Sequence, residues 1–315
     1  MDRLAALQLA AQHFPNGPET IAAQLGAEIR LRRINIDGWC LRRPGGGALI
    51  TLKDDAPETR RRFTLAHEVA HLILGTQSDV VGRRGSDLYD PRSPEEKEAN
   101  QLGSELLLPP AVLAKMVRLP VDSRMIAQVA KRARVSEIVV ALRLVRTPAR
   151  FEMIQPVIAR LEEGAVKWQI PISYSLPDDT AQHVYDLAVG HGGTHRLTDV
   201  TGKPMIALAL SNPGFQVLLL YWLTAAQAVS PTFWERRKKF EDALFADDPN
   251  LRIRVNAFIG SIKPSITSLT TEQAFWAFYE KYGDRLTGEQ AVRFHSATCY
   301  DYIRLRLSEY TVETE

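Results

Sequence analysis

The chain has 315 residues, 45% of them hydrophobic and 24% charged, and these ordinary globular proportions exclude a largely disordered chain, a collagen-like repeat or a coiled-coil rod. Its net charge of +2 is too near neutral to mark the whole surface as a nucleic-acid or membrane-binding face. The two cysteines, Cys40 and Cys299, lie far apart and form no disulfide framework, which favours a reducing compartment. This length predicts about two domains.

Neither a signal peptide nor a membrane span is predicted. The N-terminus places an acid beside its one early base and continues with polar residues instead of an apolar core. The most apolar stretch elsewhere, residues 215–223, is far shorter than the roughly 20 residues that a spanning helix needs. We therefore expect a cytoplasmic protein with no membrane partner.

The first 52 residues predict two short helices followed by a small antiparallel sheet. The two helical patterns lie within residues 1–27 and are separated by a Pro-Asn-Gly-Pro segment. The strands are expected over residues 29–31, 34–41 and 48–52, with turns expected at Asp37-Gly38, inside the second segment, and at the Pro-Gly-Gly-Gly run of residues 44–47.

Two longer helices should follow, joined by a polar loop rich in glycine. Pro57 occupies the first turn of a helix expected over residues 58–74 and ending at Gly75. The next helix starts at Ser93-Pro94-Glu95-Glu96, which combines an N-cap serine, an N1 proline and a glutamate three residues after the cap. This helix should end before Pro109.

The rest of the chain predicts a helix-turn-helix-like segment and then a region of mixed structure. Two short helical patterns in residues 123–145 meet at a tight turn, and Thr147-Pro148 offers a boundary. Beyond it, strands are expected over 165–175, 205–210 and 215–223, and helices over 232–246, 249–262, 271–282 and 288–308. Three of these helices open with a threonine and a Glu or Gln three residues later, at Thr232, Thr270 and Thr287.

The residues that carry chemistry are His67-Glu68-Val69-Ala70-His71, inside the predicted helix 58–74. Four residues on an α-helix turn through about 400°, so both imidazoles project from one face within reach of a single Zn²⁺. Glu68 lies beside them, where it can act as a general base. The helix is apolar nearly all round, and burying two histidines and a glutamate would be costly unless a metal coordinates them.

A catalytic zinc takes three protein ligands and keeps one open position, so a further His, Asp or Glu is needed. No histidine occurs between His71 and His183. The acid-rich helix that starts at Pro94 offers a carboxylate from any of four residues, Glu95, Glu96, Glu98 and Glu105. Spacing alone does not choose among them.

Two segments of the sequence resemble the ImmA/IrrE family of zinc metallopeptidases. They are Arg62–His71, which contains the HExxH run, and Glu98–Pro109, with the sequence EANQLGSELLLP. The similarity covers roughly residues 18–146 and departs from the family at Ala70, Leu102 and Gly103, where Gly, Phe and Ala are common. In that family the glutamate of the Glu-Ala-Asn triplet is the third ligand, so the resemblance implies one zinc per chain held by His67, His71 and Glu98.

The resemblance also implies an activity, that of a zinc-dependent endopeptidase with Glu68 as the catalytic base. Its implied substrate is a helix-turn-helix transcriptional repressor, whose cleavage switches on a stress or mobile-element response. Tyr89, in the loop between the two helices, is a candidate for stabilising the oxyanion, but a surface aromatic is the simpler interpretation, so Tyr89 is assigned no catalytic role.

These patterns together predict an α+β protein. We expect a metallopeptidase domain over residues 1–120, with a small antiparallel sheet and zincin-type active-site helices, and a helix-turn-helix-like segment over 121–147. A second domain over 148–315 should mix helices and strands. Nothing in its residues names a ligand, but a sensor or regulatory role would suit a regulated protease.

Two weaker features of the sequence, a basic segment and a second pair of histidines, suggest alternatives to the metallopeptidase function and to its metal site. Residues 111–150 carry a local net charge of +7, which permits DNA binding through residues 122–146, although helical packing against the peptidase is the preferred interpretation. The rival function is thus a DNA-binding regulator, or a partner-binding adaptor, with a structural or vestigial metal site. His191 and His195 repeat the four-residue spacing, but the two glycines between them favour a loop over a second metal site.

Overall fold

The computed structural model describes residues 1–43, 46–76, 93–151, 153–171, 176–210, 212, 215–229 and 231–311. The chain divides into two compact units, and the fold is of the mixed α+β class. The first unit comprises residues 1–117 and 121–228, and the second comprises residues 118–120 and 229–315.

The first unit begins with two helices and a three-stranded sheet. The helices are α1 (Arg3–Gln12) and α2 (Gly17–Gln24), and the strands are β1 (Ala27–Arg32), β2 (Gly38–Arg42) and β3 (Ala48–Lys53). The strand order is β1-β3-β2, with β2 antiparallel and β1 parallel to β3. The expectation of a wholly antiparallel sheet was therefore wrong, because β1 pairs with the far side of β3 instead of forming a hairpin with β2.

Helices α3 (Glu58–Leu74), α4 (Pro94–Leu107) and α5 (Pro110–Met116) follow. The backbone N–H of Glu96 donates to Ser93 Oγ over 3.2 Å, as the predicted helix start requires. α3 packs against both α4 and the sheet, and their shared core contains Ile50, Leu52, Leu65, Val69, Ala99, Leu102 and Leu106.

The helix-turn-helix-like segment forms α6 (Ser123–Ala133) and α7 (Glu137–Arg146). Every residue of α7 from Ile138 to Val145 is buried. The polar face of α6 exposes Arg124, Gln128, Lys131 and Arg132. The second helix of this pair therefore offers almost no surface to a nucleic acid.

A five-stranded antiparallel sheet completes the first unit. Its strands are β4 (Ile154–Glu162), β5 (Ala165–Ile170), β6 (Thr194–Thr198), β7 (Pro204–Leu210) and β8 (Gln216–Trp222), in the order β5-β4-β8-β7-β6. Helix α8 (Asp178–Gly190) packs on it, and a short helix, α9 (Ala225–Val229), follows β8. Strands β4 and β6 and helix α8 have no counterpart among the elements predicted from the sequence.

The predicted domain boundary at Thr147-Pro148 does not coincide with the division between the units. Helix α7 contacts β4 and α6 contacts β7, so the second sheet belongs to the first unit. Two hydrogen bonds add to this contact, from the Tyr221 hydroxyl to the Val121 carbonyl (2.7 Å) and from the Ser123 N–H to Thr194 Oγ1 (2.9 Å).

A cavity of about 1040 Å³ lies beside this sheet, in the first unit. It is lined by polar and apolar side chains from the strands, from α8 and from the turns, among them Lys167, Gln182, Tyr185, Phe215 and Gln216. The regulatory role expected for the residues after 148 stays a prediction.

The second unit is helical over the residues described. Its helices are α10 (Phe233–Phe245), α11 (Pro249–Ile262), α12 (Thr271–Tyr282), α13 (Gly288–Phe294) and α14 (Ala297–Leu307). Capping boxes form at Thr232 and Thr270 as predicted. Thr287 makes no such cap, because Gln290 instead hydrogen-bonds to Asp248 and Arg254. The single helix expected over 288–308 is two helices, since Ser296 caps the start of α14.

Candidate metal centre

Three side chains from two helices converge on one point of the first unit. His67 Nε2 and His71 Nε2 on α3 are 3.0 Å apart, and the two carboxylate oxygens of Glu96 on α4 each lie 3.3 Å from one of them. The histidines are 1% exposed and Glu96 9%. Among the residues that the structure describes, this is the one group of three or more His, Cys, Asp or Glu side chains with metal-binding spacing.

The local sequence explains the position of the two histidines. Residues four apart on a helix share a face, and the two imidazole centroids are 4.6 Å apart. Glu68, the expected general base, is completely buried on the same helix. Helix α3 ends where the sequence predicted, because Gly75 takes the left-handed conformation (φ 76°) that closes a helix.

The carboxylate that joins the two histidines belongs to Glu96, whereas the family resemblance implied Glu98 as the third metal ligand. That side chain is 55% exposed, and its carboxylate lies 3.9 Å from Arg3. Two residues along a helix correspond to a rotation of about 200°, so when Glu96 faces the histidines Glu98 faces away from them. Of the other carboxylates left open by the spacing, Glu95 is exposed and Glu105 binds Arg3 and Arg143.

Asn100 lies one turn after Glu96 on the same face of α4. Its Oδ1 accepts a hydrogen bond from His67 Nδ1 over 2.7 Å. Nδ1 then carries a proton, and Nε2 is the ring nitrogen of His67 that faces Glu96. In the sequence, Asn100 stands out only as a residue of the Glu-Ala-Asn motif. The signal that would have found the pair is the i, i+4 spacing of Glu96 and Asn100, which matches that of the two histidines.

The donor set fits zinc. Two imidazole nitrogens and a carboxylate are common zinc ligands, and tetrahedral ligands about 2.0–2.2 Å from the ion lie roughly 3.3 Å from each other. The two imidazole nitrogens are 3.0 Å apart, and each lies 3.3 Å from a different carboxylate oxygen of Glu96, which is close to that spacing. Three protein ligands leave a fourth position for water or substrate.

Close packing of the two helices holds these groups at that distance. A Cβ atom on Gly103 of α4 would lie 3.1 Å from the backbone nitrogen of His67 and 3.2 Å from the carbonyl oxygen of Ala66. The absence of a side chain at Gly103 therefore lets the backbone of α4 contact that of α3 at the first histidine.

Strand β2 runs beside the buried Glu68. Burial, together with the negative charge of Glu68, raises the pKa of the Cys40 thiol on this strand to about 11. Tyr89, the further candidate of the sequence analysis, lies outside the residues that the structure describes.

The second histidine pair has a different geometry. His191 follows the end of α8 and His195 lies in β6, and their rings stack with centroids 4.0 Å apart. Burial, and to a smaller extent the neighbouring His191, lower the pKa of His195. Neither residue belongs to the metal-binding group found among the described residues.

The part of the chain that carries this cluster is similar to known proteins. Residues 22–145 match the model of a peptidase family, the IrrE N-terminal-like domain. The chain is 36% identical over 95 residues to the radiation response metalloprotease IrrE of Deinococcus radiodurans, a match that spans 28% of each protein.

A solved structure of a Mycobacterium tuberculosis transcriptional regulator is also similar. It shares 15% sequence identity, covering 73% of this chain and 91% of that one, with a TM-score of 0.49. Among the residues described here, no helix is both long and apolar enough to cross a membrane.

Proposed function

We propose that the protein is a zinc-dependent endopeptidase whose metal is held by His67, His71 and Glu96. The observation that carries this proposal is the convergence of these three side chains within 3.3 Å in the family's domain. Zinc bound there would lower the pKa of a water molecule towards about 7 and polarise the peptide carbonyl.

The protein's own contribution to the reaction is positioning and proton transfer. His67 and His71 present their Nε2 lone pairs to one point, and Asn100 fixes the tautomer of the first. Glu68 accepts the proton of the attacking water and delivers it to the amine nitrogen that leaves. The Glu68 side chain is completely buried, so bulk water does not reach it.

The proposed substrate is a helix-turn-helix transcriptional repressor, cleaved in a stress or mobile-element response. The match to a peptidase family supports a protein substrate, and the name of the Deinococcus relative links that protein to a radiation response. The burial of α7 speaks against the rival function, because a recognition helix must expose a face to enter the major groove.

Metal content tests the proposed ligands. We expect about one zinc per chain in the wild-type protein, measured by elemental mass spectrometry after purification without added metal. Glu96→Ala should lose most of the zinc. Glu98→Ala, a matched substitution two residues away, should keep it. Loss of zinc from Glu98→Ala but not from Glu96→Ala would reverse the assignment of the third ligand.

Cleavage tests the reaction. The wild-type protein is incubated with candidate helix-turn-helix repressors, and the fragments are identified by mass spectrometry. Glu68→Gln should retain the zinc and give no fragments, because the amide cannot accept a proton. Cleavage by Glu68→Gln at the wild-type rate would exclude the proposed mechanism.

A further inference from the structure

The second histidine of the cluster has its own hydrogen-bond partner beyond the end of its helix. After Gly75 reverses the chain, Thr76 lies next to His71, and its Oγ1 is 2.7 Å from His71 Nδ1. This contact is the counterpart of the one between Asn100 and His67. Each imidazole therefore uses Nδ1 for a hydrogen bond and keeps Nε2 for the cluster.

Arg42, the last residue of β2, holds this turn in place. One of its guanidinium nitrogens, Nη2, donates to the carbonyl oxygen of His71 over 2.9 Å and reaches those of Leu72 and Thr76 at 3.4 Å. The last carbonyls of a helix have no intrahelical partner, and a cation there is also favoured by the helix dipole. Arg42 thus ties the sheet to the end of α3 and to the residue that contacts His71.

We propose that Thr76 is a positioning residue for the metal centre and that Arg42 supports it. When the Thr76 hydroxyl accepts a hydrogen bond from His71 Nδ1, the Nε2 lone pair is available to a metal and the ring cannot rotate away. This inference rests on the proposed zinc site, but it concerns residues that neither the motif nor the family match assigns.

The test measures zinc affinity by competition with a chromophoric chelator. Thr76→Val has nearly the same shape but no acceptor, and it should weaken zinc binding about 10- to 100-fold, the usual range for a lost outer-shell partner. Thr76→Ser keeps the hydroxyl and should stay within about threefold of wild type. Arg42→Met should give a smaller loss, because Arg42 acts only through the turn.

Thr64→Val is the matched control. Thr64 is 5% exposed on the same helix, and its hydroxyl donates to the Arg60 carbonyl over 3.1 Å, away from the histidines. This variant should bind zinc like the wild type. The absorption spectrum of the Co²⁺-substituted protein gives a second readout, since it responds to ligand geometry and should change in Thr76→Val alone among the three threonine variants.

The outcomes separate this inference from the proposed function. Absence of zinc from the wild-type protein would overturn both. Normal zinc in the wild type with unchanged affinity in Thr76→Val would overturn the role of Thr76 alone. Equal losses in Thr76→Val and Thr76→Ser, or a loss in Thr64→Val, would also overturn it, because the hydroxyl contact would then not be the cause.

Discussion

The carboxylate of Glu105 is predicted to be among the strongest single contributors to the stability of the first unit. It lies on α4, on the opposite side from Glu96, and accepts hydrogen bonds from Arg3 (2.8 Å) and from Arg143 of α7 (3.3 Å). Arg143 is only 1% exposed, and burial lowers its pKa while Glu105 opposes that shift. Replacing Glu105 with alanine would leave a buried guanidinium next to two further cations, Arg3 and Arg146.

The distance between Glu105 and Arg143 sets the size of the expected loss of stability. Two unit charges 3.3 Å apart attract each other by about 5 kcal/mol at an effective dielectric constant of about 20. Breaking a buried ion pair typically lowers the free energy of unfolding by about 3–5 kcal/mol. The higher helix propensity of alanine offsets about 0.4 kcal/mol of that loss. We expect Glu105→Ala to lower the free energy of unfolding by about 3 kcal/mol, or roughly 6–12 °C in Tm for a domain of this size.

Hydrogen exchange measured by mass spectrometry across a urea series suits this test, because peptides from α4 and α7 report the first unit separately from the second. Glu98→Ala is the control, since its carboxylate is 55% exposed and its pairing with Arg3 is screened by water. The free energy of unfolding of Glu98→Ala should fall by less than about 1 kcal/mol. The reasoning would be refuted if the free energies of unfolding of Glu105→Ala and Glu98→Ala differed by less than about 0.5 kcal/mol.

Three further predictions concern the proposed metal centre and the alternative function, DNA binding. Gly103→Val should separate α4 from α3 at His67 and weaken zinc binding, measured by the same chelator competition; unchanged affinity would mean that the helices adapt. With a pKa near 11, Cys40 should react with iodoacetamide at pH 8 about a hundredfold more slowly than an ordinary thiol, and Glu68→Gln should speed the reaction. In a gel-shift assay, Lys131→Glu/Arg132→Glu should leave any sequence-specific DNA retardation unchanged, and loss of a specific complex would restore the DNA-binding alternative.

The interactions around the proposed metal centre come in two layers. The inner layer is His67, His71 and Glu96, and the outer layer consists of Asn100 and Thr76, each 2.7 Å from one imidazole. Outer partners of this kind orient the rings and select their tautomers. Removing one of these outer partners should therefore weaken zinc binding only in part, whereas removing one of the three inner side chains should abolish it.

The sequence by itself determined what depends on residues close together in the chain. The HExxH histidines share a face because four residues make about one helical turn, and α3, α4 and two capping boxes follow from local signals at Pro57, Gly75, Ser93, Thr232 and Thr270. The capping box expected at Thr287 failed because its partner Gln290 binds the distant Asp248 instead.

Only the tertiary structure decided which glutamate joins the histidines. Glu96 and Glu98 are the same type of residue and lie two positions apart, so the choice depends on how α4 is rotated against α3. Close packing at Gly103 contributes to the contact between these helices. The same holds for the parallel pairing of β1 with β3 and for the burial of α7, since both depend on which distant surfaces meet. Sequence periodicity gives the apolar face of an element, whereas its partner is set by packing over the whole unit.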